Sequence, residues 1–299
     1  MTRFIAIIAA IFVTFLWSAS YILNKLAFGE GIDPYMLAGL RYTIAASTLL
    51  MLFMFIKKHS TPISIRSRMR FKHYLLLGIA GYLMAQGLQY AGQFFISPTQ
   101  TSMLLSVGNN LFVILVDLLW LREVKNRGVL LGVFGILLYY YPWQFQAGNL
   151  IGIGLVILSS IGYTINLTAT RHFITNKTVK AENLVIGPMF IGAIFMIVVG
   201  FFRGGVPHIS LMLIWILIWL GIVSGALAFY LWTLTQKTLK AYESSVLNNL
   251  VLIQVATMDV FILSQELTVL QISALIIILA AIIYVQFHPY FYIKKKKYN

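Results

Sequence analysis

The stretch LGIAGYLMAQGLQYAGQ, from Leu77 to Gln93, lies without gaps over LGIVSGALAFYLWTLTQ, from Leu220 to Gln236, at an offset of 143 residues. The same offset pairs Ser102 with Ser245. Self-similarity at a fixed spacing indicates a repeated structural unit. The sequence therefore predicts two copies of one unit, one in each half of the chain.

The composition around this repeat is that of a membrane protein. Of the 299 residues, 60% are hydrophobic and 10% are charged, and the mean hydropathy is +0.87. Soluble domains average roughly 45–50% apolar and about 25% charged residues. Spanning helices need roughly 20 mostly apolar residues. Ten apolar segments are predicted to span: Phe4–Ala27, Tyr35–Ile56, Tyr74–Phe94, Thr99–Leu121, Gly128–Tyr141, Leu150–Thr170, Leu184–Phe202, Leu211–Thr235, Tyr242–Leu263 and Val269–Phe291.

The number of spans in each copy decides the fold class. Five is odd, so the second copy enters the membrane from the side opposite to the first. We expect an all-α integral membrane protein of ten transmembrane helices in two inverted five-helix repeats, residues 1–142 and 149–293, followed by a basic tail, residues 294–299. Inverted repeats are typical of secondary transporters.

Lysine and arginine residues predict the orientation. All except Lys25, Arg41 and Arg203 fall on one side of the predicted membrane. The positive-inside rule places that side in the cytoplasm, together with both termini, in a multi-pass protein of the cell membrane. The net charge of +14 does not indicate a nucleic-acid partner, because the basic residues are dispersed between apolar segments.

Several of these segments resemble the EamA-type members of the drug/metabolite transporter superfamily. The resemblance rests on LGIAG with Ser102 and Glu123, on LGIVSG with Ser245 and Glu266, and on FLWSASYILNKLA and LAGLRYTIAAS in the first two spans. It implies ten spans, a central cavity lined by spans 1, 3, 4, 6, 8 and 9, and substrates among amino acids, nucleosides, vitamins and drugs. Where the family usually has proline in the fourth span of each half, this chain has Asn110 and Ile253.

Polar side chains at helical spacing form stripes in spans 3, 4, 6 and 9, such as Tyr82, Gln86, Gln89 and Gln93 in span 3. Such stripes indicate a wetted internal surface. Spans 1, 3, 6 and 8 add aromatic side chains to this surface. We therefore expect a solute of moderate size that has hydrogen-bonding groups and an apolar or planar part. The alternative is that these side chains join packed helices. The candidate substrate-binding residues are Trp17, Gln86, Gln89, Tyr90, Ser106, Asn109, Asn110, Tyr163, Asn166, Tyr230, Trp232, Asn248 and Asn249.

Four charged residues inside the spans are candidates for gating or coupling: Lys25, Arg41, Asp117 and Asp259. Charges within a membrane are costly and are usually functional or paired. We expect Asp259 to pair with Lys25 or Arg41, as an outer gate or as a static ion pair. Asp259, and then Asp117, are the candidates for proton coupling, with facilitated diffusion as the alternative.

The predicted function is secondary transport, by alternating access, of small organic metabolites such as amino acids or drug-like solutes. The resemblance favours export. The alternative is a component of a flippase for lipids or lipid-linked intermediates. An enzyme is not expected, because the spans contain no cysteine, HExxH motif or close carboxylate pair. No cofactor or metal is expected, and the expected partners are the solute and membrane lipid, in a monomer or a homodimer.

Overall fold

The computed structural model describes residues 1–58, 69–116, 149–175, 181–235, 247–264 and 266–280, together with residues 131, 134, 135, 137–139, 141, 238, 239, 244 and 284. The elements in chain order are α1 (Arg3–Gly29), α2 (Pro34–Lys58), α3 (Phe71–Gly78), α4 (Leu88–Phe95), α5 (Pro98–Val116), α6 (Leu150–Thr175), α7 (Ala181–Gly204), α8 (Leu211–Ile218), α9 (Ala228–Thr235), α10 (Leu250–Leu263) and α11 (Val269–Ala280). The protein is an all-α membrane protein.

Five helical stretches in the described ranges are long and apolar enough to cross a membrane: Arg3–Gly29, Pro34–Phe55, Leu150–Thr170, Leu184–Gly204 and Leu211–Trp232. Their outward faces carry large apolar side chains, such as Phe202, which is 83% exposed, and Trp215, which is 66% exposed. Lipid, unlike water, accommodates such a surface at no cost. The structure describes only scattered residues of the predicted fifth span, so the total of ten spans stays a prediction.

Local sequence determines where several helices begin. Asp33 accepts hydrogen bonds from the amides of Tyr35 (2.8 Å) and Met36 (3.3 Å), and Pro34 occupies the first helical position of α2. Proline is favoured there because its missing N–H has no helical partner to lose. At α5, Ser97 and Gln100 cap each other reciprocally, with N–H···O distances of 3.1 and 3.2 Å. These caps set the ends of the helices that flank the centre of the bundle.

Equivalent helices of the two halves run in opposite directions. Met36, at the start of α2, packs against Gly200, near the end of α7. Likewise, Thr99, at the start of α5, contacts Asp259, near the end of α10. These antiparallel pairs are those expected when the second half is inverted relative to the first.

The first helix of each half packs against the other half. Helix α1 packs against α9 and α10 of the second half, while α6 packs against α4 and α5 of the first half. Across the first of these contacts, the hydroxyl of Ser18 donates to Oε1 of Gln254 at 2.9 Å. The interior of the bundle is therefore built from both halves together.

The third helix of each half contains a π-helical stretch. Ile79–Gly87 joins α3 to α4, and Trp219–Leu227 joins α8 to α9. These stretches overlap the first parts of the aligned segments from which the repeat is recognised. π-Helical turns are uncommon and occur mostly at functional sites. Because both halves contain such a stretch, the space between the two third helices is a candidate functional site.

Helices α2 and α7 approach so closely that glycine is required between them. A Cβ atom at Gly200 would meet the backbone of Met36, and one at Gly39 would lie 2.8 Å from the backbone nitrogen of Ile197. Small residues permit this kind of approach between helices in lipid. By contrast, a Cβ atom at Gly154, on the exposed face of α6, has no neighbour within 4 Å among the described residues.

We expect the Gly200→Ala substitution to lower the free energy of unfolding by about 1–3 kcal/mol, because α2 and α7 must separate to admit the methyl group. The measurement is thermal unfolding of the purified protein in detergent. Gly154→Ala is the matched control, and it should leave stability unchanged or raise it, since alanine is the better helix former. Equal losses in the two variants would contradict the tight packing of α2 on α7.

Candidate solute-binding cavity

The central space between the two halves is a cavity of about 220 Å³. It receives side chains from α1, α2, α4, α5, α6, α7, α9 and α10, from the first π-helical stretch and from Asn248, just before α10. The residues that line it are Trp17, Ser20, Tyr21, Asn24, Arg41, Tyr42, Tyr82, Ala85, Gln86, Gln89, Ser102, Leu105, Ser106, Asn109, Tyr163, Asn166, Leu167, Thr170, Leu184, Val185, Phe229, Trp232, Asn248 and Val251. Two spans that the family resemblance does not include, the second and the seventh, therefore contribute to it.

Most of the binding residues that the sequence predicts meet at this cavity. They are Trp17, Gln86, Gln89, Ser106, Asn109, Tyr163, Asn166, Trp232 and Asn248. The helical spacing in spans 3, 4 and 6 does bring polar side chains to one internal surface. Whether they bind a solute stays a prediction, which is developed below.

Three predicted residues lie away from the lining. Tyr90 is fully buried, and its hydroxyl accepts a hydrogen bond from Nη1 of Arg41. Tyr230 is half-buried, and its ring packs edge-on against Phe53 at 5.8 Å between centroids. Asn249 is buried next to the cavity residue Asn248. The sequence places these three side chains in the cavity wall, whereas the structure places them beside it, because neighbouring positions on a helix face different directions. The side chain of Asn110 and all of Asp117 lie outside the described part of the chain.

The expected ion pair of Asp259 is not formed. Oδ2 of Asp259 accepts hydrogen bonds from the amide of Thr99, at 3.1 Å, and from the Thr99 hydroxyl. The amides of the first helical turn have no partner within their helix, so a carboxylate at the start of α5 is favourable. Lys25 lies near enough for electrostatic attraction to Asp259, but its ammonium group donates to the carbonyl oxygens of Phe94 (3.2 Å) and Ile96 (3.4 Å). Neither Lys25 nor Asp259 reaches the cavity.

Arg41 is the charged group of the described lining. Its side chain is 4% exposed, with Nη1 donating to the hydroxyl of Tyr90 and Nη2 donating to the carbonyl oxygen of Ser224 at 3.3 Å. The guanidinium carbon lies 5.3 Å from the ring centroid of Tyr42 and 5.9 Å from that of Tyr90. Such distances are typical of favourable contacts between a cation and aromatic rings. The predicted pairing of Arg41 with Asp259 is therefore replaced by contacts with neutral groups.

One wall of the cavity is aromatic. The ring of Trp17 packs against those of Phe229 and Trp232, with centroid separations of 5.6 and 5.0 Å. Tyr42 extends the cluster to Phe229 at 6.2 Å. Aromatic pairs at these separations stabilise one another beyond the area that they bury. This wall joins α1 of the first half to α9 of the second half.

A second part of the lining carries amides. Oε1 of Gln86 accepts a hydrogen bond from the hydroxyl of Tyr42 at 2.6 Å. Oδ1 of Asn109 is buried and has no hydrogen-bond partner among the described residues. Asn166 packs against Gly81, where a Cβ atom would lie 2.6 Å from the amide. This part of the lining can therefore offer hydrogen bonds to a solute, and it has at least one acceptor that is not already in use.

Several lining residues were not identified from the sequence. Tyr21 and Asn24 follow Trp17 at spacings of four and three, so all three share one face of α1. That periodicity is a signal that could have identified them. Tyr42 carries no such signal, since its neighbour Arg41 also lines the cavity and only the packing of α2 determines which side chains face inward.

Gln93 continues the predicted amide stripe but joins helices instead of lining the cavity. It accepts a hydrogen bond from Nδ2 of Asn24 at 3.0 Å and donates to the carbonyl oxygen of Tyr21 at 2.6 Å. Both bonds connect α4 to α1, and the side chain is fully buried. The alternative interpretation of the stripes, as contacts between packed helices, is therefore correct for this residue.

We expect Gln93→Leu to lower the free energy of unfolding by about 1–2 kcal/mol, because it leaves buried polar groups of α1 without partners. Asn109→Leu is the comparison, since its Oδ1 atom has no hydrogen bond to lose, and it should change stability little. Thermal unfolding of the two purified variants tests this difference. Similar losses in both would mean that Gln93 does not join α1 to α4.

Comparison with known proteins agrees with this fold. Residues 4–141 and 150–287 each match the family described as the EamA-like transporter family. A search of curated proteins finds no match. A solved chain described as "Crystal structure of protein" is similar over 94% of this chain and 95% of its own length, with a TM-score of 0.73 and 17% sequence identity. That identity shows a common fold and nothing more. Because the family matches cover nearly the whole sequence, once in each half, the chain belongs to the EamA-like transporter family.

Proposed function

We propose that the protein is a secondary transporter that moves small organic solutes across the cell membrane by alternating access around the central cavity. The observation that carries the proposal is a cavity shared by two inverted halves and lined by converging polar and aromatic side chains. In transporters built from inverted repeats, the binding site lies where the repeats meet. Membership of a transporter family supports the same conclusion.

The size and lining of the cavity suit a metabolite. Its volume of about 220 Å³ is below the roughly 300–1,000 Å³ of sites for drug-sized ligands. The amides of Gln86, Asn109 and Asn166 offer hydrogen bonds, and the rings of Trp17 and Trp232 offer an apolar surface. A small organic solute with both hydrogen-bonding groups and an apolar or planar part fits this lining better than an inorganic ion or a lipid chain.

Alternating access requires contacts between the halves to break and re-form. At the end of the bundle that contains the turn between α1 and α2, Asp33 pairs with Arg203 at 3.2 Å and Ser210 donates to Glu30 at 2.6 Å. Both contacts join the first half to the second. The Arg203 side chain is 55% exposed and that of Asp33 is 9% exposed, so separating them uncovers the Asp33 carboxylate and buries no charge. We propose that they separate when the cavity opens toward this end.

The direction and orientation follow from the sequence analysis. Both termini are proposed to lie in the cytoplasm, since basic residues concentrate in the loops of that side. Export is the proposed direction. No coupling ion is included in the proposal, because the described lining contains no carboxylate.

The test compares metabolites inside and outside cells that overproduce the protein with those of cells that produce a Gln86→Leu/Asn109→Leu variant. Thr257→Val is the matched control, because Thr257 is exposed on α10 and bonds only within its own helix, to the carbonyl oxygen of Ile253 at 2.8 Å. Membrane abundance is matched across the three proteins. We expect a class of solutes that leaves the cells with wild type and with Thr257→Val, but not with the double variant.

Two results would contradict the proposal. Equal movement of the same solutes in all three strains would mean that the cavity is not their path. A change in membrane lipid asymmetry without movement of any soluble compound would favour the flippase alternative instead.

A further inference from the structure

Arg41 is a buried cation without an acidic partner in the described structure. The described carboxylates of Glu30, Asp33 and Asp259 contact other residues, and no acidic side chain contributes to the described lining of the cavity. A buried charge is costly unless it is paired. Charged groups inside a membrane are accordingly rare and usually serve a function.

The guanidinium group has donor capacity left over. Nη1 and Nη2 each make one hydrogen bond within the protein, whereas Nε is buried and makes none. Arginine carries five N–H donors, so the two bonds leave others available. The side chain is more than nine-tenths buried and still forms part of the cavity wall.

The present contacts of Arg41 compensate its charge only in part. The hydroxyl of Tyr90 and the carbonyl oxygen of Ser224 are neutral acceptors. A neutral amide side chain could donate to such acceptors at a much lower desolvation cost. The rings of Tyr42 and Tyr90 attract this charge, but only an anion that enters the cavity would neutralise it.

We infer that Arg41 binds the carboxylate of the transported solute, an inference that rests on the proposed function. Guanidinium and carboxylate groups match in geometry and form strong, charge-assisted hydrogen bonds. The pair is neutral as a whole, so the anion is compensated while it is inside the membrane. The aromatic wall at Trp17 and Trp232 receives the apolar part of the same molecule. The solute is thus a small organic acid or amino acid whose apolar part is aliphatic or aromatic.

The test measures thermal stabilisation of the purified, full-length protein in detergent by phenylacetate, 4-methylpentanoate and phenylalanine, each against the corresponding carboxamide, which lacks the negative charge of the carboxylate. A ligand that binds the folded state raises the midpoint of unfolding. We expect at least one of the acids to stabilise the wild type and its amide to be much weaker. Arg41→Gln should lower the affinity for that acid by about 10- to 100-fold, as expected for the loss of hydrogen bonds to a charged group. Lys25→Gln removes a cation outside the lining and should bind the acid as the wild type does.

A second variant tests the inference even if Arg41→Gln does not fold. Asn109→Asp is nearly isosteric and places a carboxylate in the cavity, where it attracts the guanidinium and repels an entering anion. It should lose binding of the acid by a similar factor. Undiminished binding by Asn109→Asp, equal binding of acid and amide, or the absence of any acid-specific stabilisation of the wild type would each overturn the inference.

Failure of this inference is distinguishable from failure of the proposed function. If cells export a neutral or cationic solute equally well with wild type and with Arg41→Gln, the transporter proposal stands and the carboxylate site does not. If an acid binds as expected but no soluble compound moves in cells, the Arg41 site stands and the transport proposal is overturned.

Discussion

Replacing Ser106 with phenylalanine is expected to abolish transport without unfolding the protein. Ser106 lies in the cavity wall, and its hydroxyl donates only within its own helix, to the carbonyl oxygen of Ser102 at 2.9 Å. The substitution therefore breaks no hydrogen bond between helices. The aromatic ring would take up much of a space of about 220 Å³. Solutes of any chemistry would be excluded, so the prediction does not depend on knowing the substrate.

Ser273→Phe is the matched control for this experiment. Ser273 is exposed on α11, and its hydroxyl makes the same kind of bond, to the carbonyl oxygen of Val269 at 2.8 Å. Export by each variant is compared at equal membrane abundance, and the midpoint of thermal unfolding is measured for both. We expect background export for Ser106→Phe, normal export for Ser273→Phe, and at most a modest loss of stability in the first variant. Normal export by Ser106→Phe would place the solute path outside this cavity.

A large loss of stability is expected when Asp259 is replaced by alanine. Its carboxylate is 1% exposed and accepts two hydrogen bonds from Thr99, which lies in the first turn of α5. Removing the acceptor leaves a buried amide and a buried hydroxyl unsatisfied, at a cost of about 1.5–3 kcal/mol. Because α5 and α10 belong to different halves, the contact between the halves is weakened. Thermal unfolding of the purified variant measures the effect.

Two further variants separate this structural role from a role in proton coupling. Asp259→Asn keeps an oxygen acceptor and should lose less than half as much stability as Asp259→Ala. Glu266→Ala removes an exposed carboxylate near the same end of α10 and should change stability little. Loss of transport in a fully stable Asp259→Asn protein would favour proton coupling and contradict the structural role.

Helical spacing predicts only part of the cavity lining. The spacing in the sequence places Gln86 and Gln93 on one stripe. In the structure, Gln86 lines the cavity, whereas Gln93 forms hydrogen bonds to α1. Spacing gives the face of a helix but not which neighbour covers each turn of that face. The end of α4, at Gln93, is covered by α1, whereas the π-helical stretch that carries Gln86 and the start of α4 at Gln89 are open to the cavity.

The charged residues within the spans show the same limit of prediction from sequence. The sequence places Lys25, Arg41 and Asp259 within spans, and the cost of burying a charge predicts that they should pair. The sequence does not show that the start of α5 offers buried amide and hydroxyl groups to Asp259, or that tyrosine side chains lie next to Arg41. Those partners come from helices distant in the chain, so only the packed bundle reveals them.

What the sequence determined by itself was the class of the protein, the two-copy organisation and most of the polar cavity lining. Hydropathy reports directly on the preference for lipid, and duplication leaves matching residues at a constant offset. The tertiary structure alone decided the contribution of α2 to the cavity, the cap that Asp259 provides to α5 and the separation of Arg41 from the acidic groups that the structure describes. These depend on how helices from opposite halves rotate and cross when they pack, and that geometry is set by the close fit of many side chains at once.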